Sequence, residues 1–167
     1  MNSNLLFDFI VNKENNTIQI TREFEAGIEL VWKAWTDSEL LDKWWGPKPY
    51  RAETKAMEFR EGGFWHYAMV GPKGDKGWAR INFIRIIKEK FFSSKGGFSD
   101  EKGVLNLKAP QNVWENTFVP VGKKVRVEML LTYDSLEDLE AEIKMGFKEG
   151  MTVDFQQLDQ LLTELRK

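Results

Sequence analysis

Residues 26–47 read AGIELVWKAWTDSELLDKWWGP, and the way this stretch ends decides the fold. Leu30, Val31, Ala34 and Trp35 recur at helical spacing. Asp37 or Ser38 is placed to cap a second short helix carrying Leu40, Leu41, Trp44 and Trp45. Gly46 accepts the left-handed conformation that ends a helix, and Pro47 cannot extend one. Neighbouring helix residues point about 100° apart, so Trp44 and Trp45 cannot share one contact face. One is expected to pack with Leu40 and Leu41, the other to project sideways over whatever the helix end covers.

On the N-terminal side, Leu5, Phe7, Phe9 and Val11 alternate, Lys13 to Asn16 supply turn chemistry, and Thr17 to Phe24 follow with Ile18, Ile20 and Phe24 in register. This predicts two extended segments. On the C-terminal side, residues 51–133 read as about six strands separated by the turns REGG (60–63), GPKGDKG (71–77), SDEKG (99–103) and PVGKK (120–124). Val125, Val127, Met129 and Leu131 make one face of the last strand, with Arg126 and Glu128 on the other. His66 alternates with Trp65 and Tyr67, which puts it on the outer face as an exposed histidine. GPKGDKG lacks the GK[ST] ending and following helix of a phosphate loop and reads as a hairpin turn.

Ser135 followed by Asp138 resembles a capping box. From there Ile143, Phe147, Met151, Phe155, Leu158, Leu162 and Leu165 form one continuous helical stripe that needs a sheet to cover it. Gly146 and Gly150 lie beside the stripe. A glycine inside a helix costs about 1 kcal/mol relative to alanine, so either the helix kinks there or something approaches its backbone closely. The apolar faces are all satisfied by an α+β arrangement: a curved antiparallel sheet of about six to eight strands wrapped around a long C-terminal helix, with two short helices after the first core strand.

The 167 residues carry 24 basic and 26 acidic side chains, interspersed, and no cysteine. That length suits one domain spanning 1–167, with 1–16 as an N-terminal extension that adds a strand. No basic stripe is available for nucleic acid. Without cysteine and with a single histidine there is no disulfide, thiolate nucleophile or zinc-type ligand cluster, and no cofactor is expected. The apolar run NLLFDFIV (4–11) is far shorter than the roughly 20 residues that span a bilayer, which gives no membrane partner and a cytoplasmic expectation. Seven Trp and twelve Phe exceed what a core of this size requires.

Three ordered motifs carry a resemblance to a known family: ITREFEAGIELVWKAWTDSELLDKWWGP (20–47), EFREGGFWHYAMVGPKG (58–74) and MGFKEGMTVDFQQLDQLL (145–162). Together they resemble the activator of heat-shock protein 90 ATPase homologue-like family, within the START and Bet v I-like superfamily of helix-grip folds, over about residues 17–165. The chain departs from the family pattern at Gly27, where proline is usual, and at Glu58 and Glu61, where Asp and Pro are common. The resemblance implies a deep apolar cavity between sheet and long helix that holds a lipid, sterol, polyketide or aromatic metabolite. The candidate wall residues are Trp44, Trp45, Trp65, Tyr67, Met69, Trp114, Phe118, Met129, Met145, Gly150, Met151 and Phe155.

An aromatic strand face is first a core, and a kink fits the glycine pair as well as a ligand does. The charged group Glu53, Glu58, Arg60 and Glu61 reads as surface ion pairs. No set of nucleophile, base and orienting group stands out, so a ligand-binding protein is expected before an enzyme such as a cyclase, dehydratase or hydrolase. A protein-interaction or stress-response module is the further alternative. The expected partner is a small hydrophobic molecule, with room for a protein partner, in a monomer or weak homodimer.

Overall fold

A computed structural model describes residues 5–166. Strand β1 (Phe7–Asn12) turns into β2 (Thr17–Phe24), followed by helices α1 (Ile28–Thr36) and α2 (Ser38–Trp44). Six strands come next: β3 (Arg51–Glu58), β4 (Phe64–Val70), β5 (Lys76–Ile87), β6 (Phe91–Ser99), β7 (Gln111–Val121) and β8 (Lys124–Tyr133). Helices α3 (Leu136–Lys144) and α4 (Phe147–Leu165) complete the chain. The eight strands form one sheet in the order β1-β2-β8-β7-β6-β5-β4-β3. Every pairing is antiparallel.

The predicted inward faces are mostly buried, with Val11 and Leu165, 36% and 39% exposed, as exceptions near the ends of the chain. Val125, Val127, Met129 and Leu131 of β8 are completely buried, and Ile18, Ile20 and Phe24 of β2 lie beside them. Helix α4 crosses this inner face, where Phe155 packs edge-on against Phe7 and Phe24 at ring-centroid distances of 5.6 and 5.7 Å. Bulges at Thr54/Ala56 and Phe83/Arg85 interrupt the ladders, and bulges of this kind bend a strand and increase its twist. The arrangement is the helix-grip fold, with β1 as an added edge strand.

The helix caps follow the chemistry of the sequence. Asp37 accepts from the Glu39 amide at 2.9 Å and opens α2. Ser135 accepts from the Asp138 amide at 3.1 Å and opens α3. The C-terminal segment differs from the expected continuous helix. Gly146 adopts φ +90° between α3 and α4, so the apolar stripe is carried by two helices and the glycine makes the break.

His66 is also a correction. It does lie on the outer face, but the turn after β6 covers it: the ring Nε2 sits 3.1 Å from the Asp100 carbonyl oxygen, and the ring packs against Trp78. It is 4% exposed. Asp100 shapes that turn by accepting from the amides of Lys102 and Val104.

Candidate functional site

The stop after α2 builds one wall of a cavity. Gly46, at φ +114°, turns the chain so sharply that an added Cβ would lie 2.8 Å from Met69 Sδ and 2.9 Å from the Ala52 nitrogen. Helix α4 then holds the turn. The Gly46 amide donates to Asp154 Oδ1 at 3.1 Å, the Lys48 amide donates to Gln157 Oε1 at 3.0 Å, and Gln157 Nε2 donates to the carbonyls of Trp44 and Gly46, each at 2.9 Å. Between this turn, α4, the end of α3 and the inner face of β3–β7 lies a cavity of about 320 Å³. It opens beside Phe98 and Met145, wall residues that are 43% and 59% exposed.

The tryptophan pair divides as its helical geometry requires. Trp44 is 1% exposed and donates Nε1–H to the Ala34 carbonyl at 2.9 Å, so it belongs to the core and not to the cavity wall. Trp45, the residue at which α2 ends, borders the cavity. Its indole N–H donates to the Tyr67 hydroxyl at 3.0 Å, and its ring meets Trp65 and Trp114 at centroid distances of 5.9 Å each. Trp65 stacks on Tyr67 at 4.1 Å and donates to Thr54 Oγ1, which in turn donates to Asp42 of α2. A rigid aromatic wall is thus tied to the helix pair by hydrogen bonds.

Of the expected wall residues, the structure brings Trp45, Trp65, Tyr67, Met69, Trp114, Met145, Gly150 and Met151 together around the cavity. It does not place Trp44, Phe118, Met129 or Phe155 there. Phe118 is enclosed by Trp32, Trp35 and Phe92, Met129 is buried between β2 and β7, and Phe155 is covered by Phe7, Phe24 and Trp35. Gly150 faces Pro47, whose Cγ would stand 3.6 Å from an added Cβ. That is ordinary contact, so Gly150 leaves space without a forced close approach.

Tyr67 aside, the polar residues of the wall were not singled out from the sequence. Asp154 on α4 is 4% exposed, and among the described residues the Gly46 amide is its hydrogen-bond partner. Burial pushes its carboxyl up to about 8, against the opposing pull of that amide. Glu142 on α3 is also pushed up by burial. Its Oε1 accepts from Tyr133 Oη at 2.9 Å and Asn112 Nδ2 at 3.4 Å. Burial likewise pushes the Tyr67 phenol up. Asn116 Oδ1 and Trp35 Nε1, both buried and both on cavity-lining residues, have no hydrogen-bond partner among the described residues.

A signal for Asp154 was present in the pattern. It occupies a position of the apolar stripe, three residues after Met151 and four before Leu158, where a charge is out of place unless something answers it. Glu142 stands in the same relation to Leu139, three residues earlier.

Residues 25–163 match the family described as Activator of Hsp90 ATPase homolog 1-like protein. A crystal structure of a Mycobacterium smegmatis protein is 30% identical, with TM-score 0.86, over 95% of this chain and 96% of that one. A solution structure of an Arthrobacter aurescens protein is 29% identical, with TM-score 0.88, over 94% and 91%. The AHSA1 protein from Silicibacter pomeroyi shares the fold at 19% identity, with TM-score 0.67, over 88% and 97%. The sequence matches no curated protein.

Proposed function

The chain belongs to the Activator of Hsp90 ATPase homolog 1-like family, and from that premise we propose that it binds a compact apolar or amphipathic molecule between the sheet and α4. The observation that carries this reading is the apolar cavity itself, bordered by Trp35, Trp45, Trp65 and Trp114. Its volume lies at the small end of the range for small-molecule sites, roughly 300–1,000 Å³, which favours a compact ring system over a sterol or long acyl chain.

The test is a titration of nitrogen-15-labelled protein with a panel of compact aromatic and alicyclic compounds, read at the seven indole N–H signals. Saturable shifts at Trp35, Trp45, Trp65 and Trp114, with Trp78 on the outer face unmoved, support the reading. Shifts confined to Trp78, or no shift with any compound, overturn it.

A second reading, proton transfer on the bound molecule, is favoured by one observation. A carboxyl held near 8 in an apolar cavity, as Asp154 is, has the strength of a general acid at neutral pH. Product formed from a bound compound by the native protein, and absent with Asp154→Asn, distinguishes turnover from binding.

A further inference from the structure

We propose that the ligand is a lipophilic monocation, an aromatic or alicyclic amine or ammonium, taken up by the aromatic wall with its positive charge directed to Asp154 and Glu142. This rests on the reading of the cavity as a ligand site and names the chemistry of its occupant.

Three features of the wall point the same way. First, its ionisable residues are two acids and Tyr67, with no lysine, arginine or histidine among the described lining residues. A carboxylate ligand would meet acidic groups with no counter-charge. The buried cation of the inner face, Arg22, is bonded to Asp159 and does not line the cavity.

Second, both acids keep an oxygen in reserve. Asp154 uses Oδ1 for the Gly46 amide, and Glu142 uses Oε1 for Tyr133 and Asn112, which leaves Oδ2 and Oε2. Ammonium N–H groups satisfy acceptors of this kind, and a quaternary ammonium is attracted to the carboxylates by charge alone.

Third, the surrounding rings are of the type that attracts a cation. Trp45, Trp65, Tyr67 and Trp114 border one space, and an aromatic ring draws a positive charge by its quadrupole, most strongly when water is excluded. The groups sharing the cavity with Asp154 are Tyr67 from β4 and Glu142 from α3, with the Gly46 amide at the end of α2. A bound cation therefore favours ionisation of Asp154, and uptake below its raised pKa must displace a proton.

Phenyltrimethylammonium and tert-butylbenzene have the same shape and differ in charge, so they separate this inference from the reading beneath it. Indole N–H shifts are followed for both, with phenylacetate as the anion. At about pH 9 the cation is expected to bind about tenfold more tightly than its neutral isostere, an advantage that shrinks as pH falls below about 8. Phenylacetate is expected to produce no shift. Asp154→Asn, which retains an acceptor for Gly46, is expected to weaken cation binding about tenfold and to change tert-butylbenzene affinity far less. Glu142→Gln is expected to weaken the cation selectively as well.

Equal or tighter binding of tert-butylbenzene, or cation affinity unchanged in both variants, overturns the inference while leaving the cavity a ligand site. Failure of every compound to move the four cavity indoles overturns both.

Discussion

Asp154 makes folding and ionisation compete. An unfolded aspartate ionises near 3.9, whereas in the folded protein burial holds this one protonated up to about 8. Between those values the native state binds a proton that the unfolded state does not, so stability falls as pH rises, by at most about 1.4 kcal/mol per unit for one group. Urea denaturation at pH 5, 6, 7 and 8 is expected to show a smaller loss of stability with pH in Asp154→Asn than in the native protein. Gly46 constrains a neighbouring position by shape. Gly46→Ala meets both a left-handed φ and backbone atoms within 3 Å, and is expected to cost about 3 kcal/mol in the same assay. The sequence shows that a glycine before Pro47 ends the helix. The approach of Arg51 and Ala52, five and six residues on, makes alanine costly; it arises from how the chain doubles back after Pro47, which the residue pattern does not state.

Helices α3 and α4 show how far periodicity reaches. The spacing from Ile143 to Leu162 locates the inward face, but it does not register the break at Gly146 between α3 and α4. Gly146→Ala is expected to cost about 1–2 kcal/mol, from φ alone, since only Glu149 Oε1, at 3.8 Å, lies near its missing Cβ. Gly150→Leu has the opposite balance. It removes a glycine from a helix, worth about 1 kcal/mol of stability, and sends its side chain into the cavity. Native or greater thermal stability with loss of the ligand-induced indole shifts is the expected result. The strands were more legible than the cavity: alternation on β2 and β8 states which residues face inward. It does not distinguish Met129, pressed between neighbours, from Met69, which borders open space. Both are apolar residues on inward faces, and the difference arises only when distant elements pack.

Across the molecule, α4 is fastened to the sheet through Asp159 and to the turn after α2 through Asp154 and Gln157. Arg22 of β2 and Asp159 of α4 form a bidentate pair at 3.1 and 2.6 Å, with their side chains 7% and 16% exposed. The guanidinium also lies over Phe7, Phe24 and Phe155. Removing one partner of a buried pair leaves the other charge uncompensated, so Asp159→Asn is expected to cost about 3 kcal/mol, and added salt should not reproduce that loss in the native protein. Arg22 and Asp159 could each be seen in the chain, but 137 positions separate them, and only the topology brings them together. The cavity beside these fastenings opens next to Phe98 and Met145, and its walls are mostly apolar. Uptake of a compact apolar compound should therefore carry a negative heat-capacity change, read as a binding enthalpy that falls with temperature in calorimetry at several temperatures.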